Sequence, residues 1–302
     1  MKSSDYVSTR FGKVITAMIT PFNDDMTLDL PGAVQLAKWL EKNGSDGLVL
    51  AGTTGEGPVL NDNEKIELFR EVSSSVGIPV IANTGSNDTE HSIELTKRAS
   101  ATNIAAILAV TPYYSRPPQS GIEMHFKAVA AATSLPVIIY DIPVRTGRKV
   151  EYKTLKKLLT KIDNIVGVKD AAGDVVETSK LMHEVPEAEI YSGDDALTFA
   201  LVCHGAKGVI GVATHWCGHE MFKMIRYILE GKLGEARKIH NLMLDSFMFE
   251  TSLEAPNPIP AKAVMKTLGL PSGKCRLPLG EVESVYATAE KIVEPFKSDY
   301  IF

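Results

Sequence analysis

Short apolar runs recur along the chain, and each is followed by a polar or glycine-containing turn and then by a stretch with helical periodicity. The runs occupy residues 14–20, 47–51, 79–82, 105–110, 136–140, 165–169, 189–192 and 208–211. Their starts lie roughly 20 to 33 residues apart, the spacing expected of β-α units. Because the runs are nearly continuously apolar, they fit parallel strands that are buried on both faces.

The segments between the runs have apolar residues at helical spacing. In residues 30–43, Leu36, Trp39 and Leu40 fall on one face, and Asn61 with Glu64 resembles a capping box at the start of the next helix. Eight strands alternating with helices predict an α/β fold, the (β/α)8 or TIM barrel. The alternative is an open doubly wound sheet, but no glycine-rich dinucleotide fingerprint follows any run.

Three further helices are predicted after the eighth unit, near residues 233–249, 258–268 and 281–296. They form a C-terminal helical appendage and show no sign of a separate second core. We therefore predict a catalytic barrel domain over residues 1–231 and a helical segment over residues 232–302 that packs on the barrel.

Composition narrows the classes of protein to consider. The chain has 302 residues, of which 44% are hydrophobic, and a net charge of −5, so nucleic acid is not an expected partner. The longest apolar runs of about eight residues are far below the roughly 20 needed to span a bilayer, and residues 1–14 lack the apolar core of a signal peptide. Three cysteines without CxxC spacing do not suggest a disulfide framework. A cytoplasmic protein is expected.

Lys169 is the strongest chemical feature, because it ends a strand that is predicted to be buried. In a barrel of this kind, reactive groups collect where the strands end. One interpretation is a lysine whose apolar stem is buried while its ammonium reaches the barrel mouth. The other is a Schiff-base nucleophile, since burial disfavours the charged form and leaves some free amine. The residues of this strand alone do not decide between the two.

Other polar groups end the neighbouring strands. Tyr140 ends the preceding strand and either exchanges protons with an imine or packs as a core aromatic. Arg145 lies five residues further on, as a carboxylate-binding guanidinium or as an ordinary surface arginine. The turn GTTGEG, with Thr53 and Thr54, offers hydroxyl and N–H groups to a carboxylate or phosphate, although a plain β-α turn is the alternative.

The segment THWCGHE holds the only metal-like grouping, His215, Cys217 and His219. Its spacing within a loop defines no tetrahedral geometry, and a fourth ligand is not evident. We therefore predict no metal site and treat this segment as a loop over the barrel mouth.

Taken together, these motifs resemble the dihydrodipicolinate synthase family of the class I aldolase superfamily, which also includes N-acetylneuraminate lyase. The resemblance rests on six motifs in order: GTTGE at 52–56, TPYYSRPPQSG at 111–121, IIYDIPVRTG at 138–147, VGVKDAAGD at 166–174, SGDD at 192–195 and PNPIPAK at 256–262. Similarity extends from about residue 11 to the last helix. It implies condensation of pyruvate with aspartate 4-semialdehyde in lysine and diaminopimelate biosynthesis.

The resemblance implies roles for the pyruvate site. Lys169 is similar to the lysine that forms an imine with pyruvate, so no cofactor is needed beyond that lysine. Thr54, with nearby backbone amides, resembles the group that holds the pyruvate carboxylate. Gly193 and Ile210 match backbone positions that line this site.

It also implies roles in proton transfer and assembly. Tyr140, Thr53 and Tyr114 resemble a proton relay in which Tyr114 comes from a neighbouring subunit. Arg145 resembles the group that binds the carboxylate of aspartate semialdehyde. The implied assembly is a homotetramer built as a dimer of dimers.

Two other functions remain open at this point. A sister aldolase acting on a sialic acid or a 2-keto-3-deoxy sugar acid shares the imine chemistry. A metabolite-binding regulator on the same barrel needs neither a nucleophile nor a proton relay.

The sequence also departs from the family pattern. Asp141 stands where the family often has asparagine, and residues 215–217 are unusual, so both are expected to affect substrate fit. Members inhibited by lysine have histidines and a glutamate at positions that read Asp62, Lys65 and His91 here. Because Lys65 repels a lysine ligand, we predict weak or absent feedback by lysine.

Overall fold

The computed structural model describes residues 9–302, in which eight parallel strands close into one barrel. The strands are β1 (Val14–Ala17), β2 (Gly47–Leu50), β3 (Val80–Asn83), β4 (Ala106–Val110), β5 (Val137–Asp141), β6 (Ile165–Asp170), β7 (Glu189–Ser192) and β8 (Gly208–Gly211). Each strand pairs with the next, and β8 pairs with β1. The predicted (β/α)8 barrel is therefore confirmed.

Helices follow the strands and cover the barrel. They are α1 (Leu30–Lys42), α2 (Asp62–Ser73), α3 (Thr89–Ser100), α4 (Gln119–Ala131), the single turn α5 (Pro143–Thr146), α6 (Tyr152–Lys161), α7 (Val175–Glu184), α8 (Thr198–Cys203) and α9 (Gly218–Leu229). Within residues 9–302, no helix is long and apolar enough to cross a membrane.

The C-terminal helices are α10 (Leu233–Phe249), α11 (Ile259–Thr267) and α12 (Val285–Val293), as the periodicity predicts. Helix α10 packs on α8 and α9, and α11 packs on α12. The division into domains at residue 231 stays a prediction.

Local sequence signals explain where the first helices form and what they bury. Leu36, Trp39 and Leu40 are all buried on one face of α1, as predicted. At the start of α2, Asn61 accepts from the Glu64 N–H while the Glu64 carboxylate accepts from the Asn61 N–H, at 3.0 and 2.9 Å. This capping box satisfies two N–H groups that a helix start otherwise leaves unpaired.

Two apolar layers form the core, one between strands and helices and one inside the barrel. Alternation along β5 sends Ile138 and Tyr140 inward, whereas Val137 and Ile139 pack against helices. On β6 the register with β5 shifts by one residue, since Val137 pairs with Ile165 but Ile138 pairs with Gly167. After this shift, Lys169 at the polar end of β6 pairs with Tyr140 of β5. Continuing the register of the first pair would not align these two residues.

Candidate active site

A cavity of about 440 Å³ lies at the carboxyl ends of the strands. Thr53, Tyr140 and Arg145, three residues singled out from the sequence, line it. They come from the loop after β2, the end of β5 and helix α5. In a (β/α)8 barrel this face is where catalytic residues lie, and the position of the cavity agrees with that rule.

Lys169 lies beside this cavity and has no acidic partner. It is 5% exposed, and its Nζ lies 4.3 Å from the centre of the Tyr140 ring, which lines the cavity. Among the described residues it forms no hydrogen bond and no ion pair. Contact with the ring face is favourable to an ammonium, but it supplies no counter-charge. Without a hydrogen bond or an ion pair, this buried amine is available to a ligand.

Gly193 explains how the lysine fits. A Cβ at this position would lie 3.0 Å from the Lys169 Cγ, so the absence of a side chain leaves room for the lysine stem. The Gly193 N–H donates to the Asp170 carbonyl at 2.7 Å, which fixes the loop after β7 against β6. Ile210 is fully buried in the barrel interior. Gly193 thus lies beside Lys169, and Ile210 belongs to the same interior layer as Tyr140.

The GTTGEG loop presents unpaired backbone donors. The N–H groups of Thr53, Thr54 and Gly55 donate to no acceptor in the part of the chain that the structure describes. Thr54 is only 2% exposed. Consecutive N–H groups in a tight turn form a concavity that binds anions, so this loop is suited to a carboxylate.

Close packing holds the loop in place. A Cβ at Gly57 would lie 2.1 Å from the Ala51 carbonyl oxygen, which no side chain tolerates. The Thr20 hydroxyl donates to the Gly55 carbonyl at 2.6 Å. These contacts connect the loop to β1 and to the end of β2.

Tyr140 and Arg145 both remain available to a ligand. The Tyr140 hydroxyl donates to no described residue, and the Arg145 guanidinium forms no ion pair within residues 9–302. The Arg145 side chain is exposed at the cavity. A phenol and a guanidinium without partners are arranged to meet a carboxylate-bearing substrate.

Tyr114 does not line the cavity of its own chain. It is 90% exposed, and its φ of 73° lies in the left-handed region that residues with side chains seldom adopt. Its neighbour Tyr113 lines the cavity instead. An exposed aromatic side chain on a strained backbone indicates a residue that is held out for contact with something else.

The metal-like segment has a structural role. The His215 Nε2 accepts from the Ile19 N–H at 3.1 Å, and its Nδ1 lies 2.8 Å from the Val212 carbonyl. Burial lowers the pKa of His215 to about 4, so the ring is neutral. The Trp216 Nε1 donates to the Ser246 hydroxyl at 2.9 Å. Among the described residues no group of three or more His, Cys, Asp or Glu side chains could hold a metal ion.

The segment after β8 therefore forms hydrogen bonds with Ile19, which follows β1, and with Ser246 of α10. Residues 215–217 do not line the cavity. The expectation that they affect substrate fit is not supported by their contacts.

Asp141 and Asp170 end adjacent strands and point toward the helices. The Asp170 carboxylate accepts from the Ala172 N–H at 2.8 Å and from the Thr178 hydroxyl, which confirms that it faces away from the barrel interior. Asp141 accepts from the Val150 N–H at 3.1 Å and is absent from the cavity lining. Asp141 therefore does not shape the substrate site directly. Burial raises the pKa of Asp141 to about 7.

The far end of the cavity holds a cluster of charged side chains. The His91 Nε2 lies 3.0 Å from the Asp62 carboxylate, with the Lys65 Nζ at 4.0 Å and an Arg98 nitrogen at 3.9 Å. Burial lowers the pKa of Lys65, and Asp62 opposes that change. Lys65, Arg98 and the His91 ring already surround the only carboxylate of this cluster.

Sequence reasoning missed two residues of the site. The family motifs imply a role for Tyr114 but none for Tyr113, although Tyr113 is the member of the pair that lines the cavity. Asn257 lines the cavity and donates to the Thr54 hydroxyl at 2.9 Å. The sequence shows the PNPIPAK motif, but no property of the sequence shows that it lies against the GTTGEG loop.

Comparison with known proteins agrees with this geometry. The family model described as Dihydrodipicolinate synthetase family matches residues 10–294. The chain belongs to this family. It is 45% identical over 293 residues to 4-hydroxy-tetrahydrodipicolinate synthase of Moorella thermoacetica, which covers 95% of this chain and 98% of that protein. Family membership makes the chain a lyase of the class I aldolase type.

Solved structures of the family have the same fold. Dihydrodipicolinate synthase from Bacillus anthracis is 39% identical with a TM-score of 0.90, over 94% of this chain and 98% of that one. The synthase from Cyanidioschyzon merolae, solved with lysine bound, is 41% identical with a TM-score of 0.90, over 96% and 98% of the two chains. These relatives favour the synthase over the sister aldolases.

Proposed function

We propose that the chain condenses pyruvate with L-aspartate 4-semialdehyde, as 4-hydroxy-tetrahydrodipicolinate synthase, with Lys169 as the nucleophile. The observation that carries this proposal is a buried lysine without an acidic partner, in contact with the Tyr140 ring beside a cavity. An amine in these surroundings is suited to attack a carbonyl carbon.

The reaction begins at Lys169. Its amine attacks C2 of pyruvate, and loss of water gives the imine. Removal of a proton from the pyruvate methyl group gives an enamine, whose carbon attacks the aldehyde of the second substrate. The amino group of that substrate then attacks the imine carbon, which closes the ring and releases the Lys169 amine.

Neighbouring groups supply binding and proton transfer. The unpaired N–H groups around Thr54 bind the pyruvate carboxylate, and Arg145 binds the carboxylate of the semialdehyde. Tyr140 and Thr53 move protons between the amine and the reacting carbons, together with Tyr114 from a second subunit. Gly193 and Ile210 surround the bound pyruvate. No cofactor takes part.

A homotetramer in the cytoplasm is the proposed state of the protein. It is supported by Tyr114, which is exposed on the free chain and held in a strained conformation. Pairing of two copies at this residue supplies the third member of the relay.

Borohydride trapping tests the proposal. Reduction in the presence of pyruvate should inactivate the enzyme and add one reduced pyruvate unit to Lys169, and neither should happen without pyruvate. Lys262 is the internal control, because this buried lysine pairs with Glu56 at 2.6 Å and should stay unlabelled. An enzyme that is active with both substrates but yields no adduct on Lys169 contradicts the proposed mechanism.

An aldehyde panel then separates the synthase from its sister aldolases, which share the imine. Aspartate 4-semialdehyde should be turned over with pyruvate, whereas N-acetylmannosamine and sugar aldehydes should not. Turnover of a sugar aldehyde in preference to the semialdehyde contradicts the assigned substrate.

A further inference from the structure

The C-terminal segment contacts the carboxylate-binding loop from behind. The Asn257 Nδ2 donates to the Thr54 Oγ1 at 2.9 Å, and both residues are buried. The Asn257 Oδ1 has no partner among the described residues, so in that part of the chain this is the only hydrogen bond of the Asn257 side chain. The contact joins residues that lie 203 positions apart in sequence.

A buried ion pair fixes the same loop. The Glu56 carboxylate lies 2.6 Å from the Lys262 Nζ and accepts from the Arg276 N–H at 2.8 Å. The Lys262 Nζ also donates to the Lys274 carbonyl at 2.9 Å and lies 4.2 Å from the centre of the Phe22 ring. Removing one member of a buried pair is strongly destabilising, so this pair holds the loop against the C-terminal segment.

The direction of the Asn257 bond determines what the Thr54 hydroxyl can do. A hydroxyl has one hydrogen to donate and lone pairs that accept. Because Asn257 occupies an acceptor site on Thr54, the hydroxyl hydrogen is left free to point elsewhere. The neighbouring N–H groups of the loop are unpaired too, so a carboxylate bound there can accept from them and from the hydroxyl.

We propose that Asn257 is a positioning residue for substrate binding, whose amide holds the Thr54 hydroxyl as a donor toward the pyruvate carboxylate. This inference rests on the proposed function, in which that loop binds pyruvate. Asn257 itself acts through Thr54.

Two substitutions at one position test the inference in the full-length enzyme. Asn257→Ala removes the bond and should raise the KM for pyruvate about tenfold, the effect of one lost hydrogen bond, with kcat changed less than about threefold. Asn257→Asp keeps the size of the side chain, but its carboxylate accepts from Thr54 and turns the hydroxyl hydrogen away from pyruvate. It should therefore be worse than Asn257→Ala, by about a further tenfold.

A merely structural role predicts the opposite order, because aspartate fills the space better than alanine. Asn43→Ala is the matched control. Asn43 is buried and bonded to the carbonyls of Trp39 and Ile301, away from the cavity. It should lower the melting temperature without changing the KM for pyruvate.

The Thr54→Val background supplies the second test. If Asn257 acts through the Thr54 hydroxyl, Asn257→Ala should add less than about twofold to the KM of Thr54→Val, since contacting residues are not additive. Additive effects, or an Asn257→Asp enzyme with a lower KM than Asn257→Ala, overturn the inference. Absence of a pyruvate adduct in the wild-type enzyme overturns the proposed function instead, so the two failures are distinguishable.

Discussion

Two tyrosines flank Lys169 on the neighbouring strands, and their surroundings are opposite. Tyr140 on β5 and Tyr191 on β7 both pair in register with Lys169. The Tyr191 hydroxyl donates to Glu189 at 2.8 Å, and Glu189 also pairs with Arg10 at 3.4 Å. The Tyr140 hydroxyl has no partner in the described chain and lies at the cavity.

The comparison separates two uses of buried polar groups in one barrel. Around Tyr191 each polar group meets another, which satisfies them and stabilises the interior. The Tyr140 hydroxyl and the Lys169 amine are left without hydrogen-bond partners among the described residues, and that costs stability unless a ligand supplies them. Between these two tyrosines, the missing partner distinguishes the one at the cavity, whereas burial and residue type do not.

The sharpest test of this comparison is to remove each hydroxyl in turn. Tyr140→Phe should lower kcat by about 10²–10⁴-fold, the usual contribution of a proton-transferring group. Tyr191→Phe should leave kcat within about threefold of wild type and lower the free energy of unfolding by about 1–3 kcal/mol, because Glu189 loses a buried partner. Steady-state kinetics and urea unfolding on both variants give the result. Equal losses of kcat would remove the distinction between the two tyrosines.

A pair of arginines extends the comparison to charged groups. Arg145→Ala should cost about 2–5 kcal/mol of transition-state stabilisation with aspartate semialdehyde, because a substrate carboxylate loses its partner. Arg276→Ala removes a guanidinium that pairs with Glu64 at 2.6 Å. The free energy that this variant loses should therefore be larger for unfolding than for kcat/KM. The measurement is kcat/KM for the aldehyde in both variants. Unchanged aldehyde kinetics in Arg145→Ala would contradict its assigned role.

Asp141 and Asp170 extend the comparison to two carboxylates, which should differ in how they change stability with pH. Burial raises the pKa of Asp141 from its ordinary value of 3.8 to about 7, and the Val150 N–H opposes that change. Between these values the folded state holds a proton that the unfolded chain has released. The stability associated with Asp141 is thus fully present below about pH 4 and is lost as the pH rises to about 7.

Asp141→Asn should remove this loss. Between pH 5 and pH 8, the free energy of unfolding of the variant should rise by about 1–3 kcal/mol relative to that of wild type, as measured by urea unfolding. Asp170→Asn is the control, since Asp170 already has donors from Ala172 and Thr178, and it should be destabilising at both pH values. If the difference in stability between wild type and Asp141→Asn were the same at both pH values, Asp141 would be ionised at both.

The smallest expected effect concerns free lysine. Asp62 is already surrounded by His91, Lys65 and Arg98, so it offers no free carboxylate to a cationic ligand. Activity should therefore be unchanged by L-lysine up to about 5 mM, because like charges repel the ligand at this end of the cavity. The Cyanidioschyzon merolae enzyme, solved with lysine bound, is the comparison in the same assay. A midpoint of inhibition below a few millimolar would contradict this interpretation.

The sequence predicts the barrel well because each unit repeats a local pattern. The apolar run of β7 and the helix α10 have the predicted limits, residues 189–192 and 233–249. Strand ends then bring Lys169, Tyr140 and Arg145 to one rim without knowledge of any side-chain contact. These predictions succeed because periodicity within about 20 residues determines them.

Other features depend on contacts between distant parts of the chain. The register shift between β5 and β6 is not encoded in a local pattern, and it determines how Lys169 aligns with Tyr140. The bond from Asn257 to Thr54 needs the C-terminal helices to fold back over the barrel mouth. Likewise, the burial of His215 depends on the segment after β1, which supplies the Ile19 N–H.

The C-terminal contacts with the GTTGEG loop have a consequence for synthesis of the protein. All eight strands have been translated once residue 211 is added, yet Asn257, Lys262 and Arg276 are still missing. A chain that ends between these points has every barrel strand and Lys169 but lacks the C-terminal contacts that hold the GTTGEG loop. Completion of the C-terminal segment is therefore the step of synthesis that adds the contacts behind the GTTGEG loop.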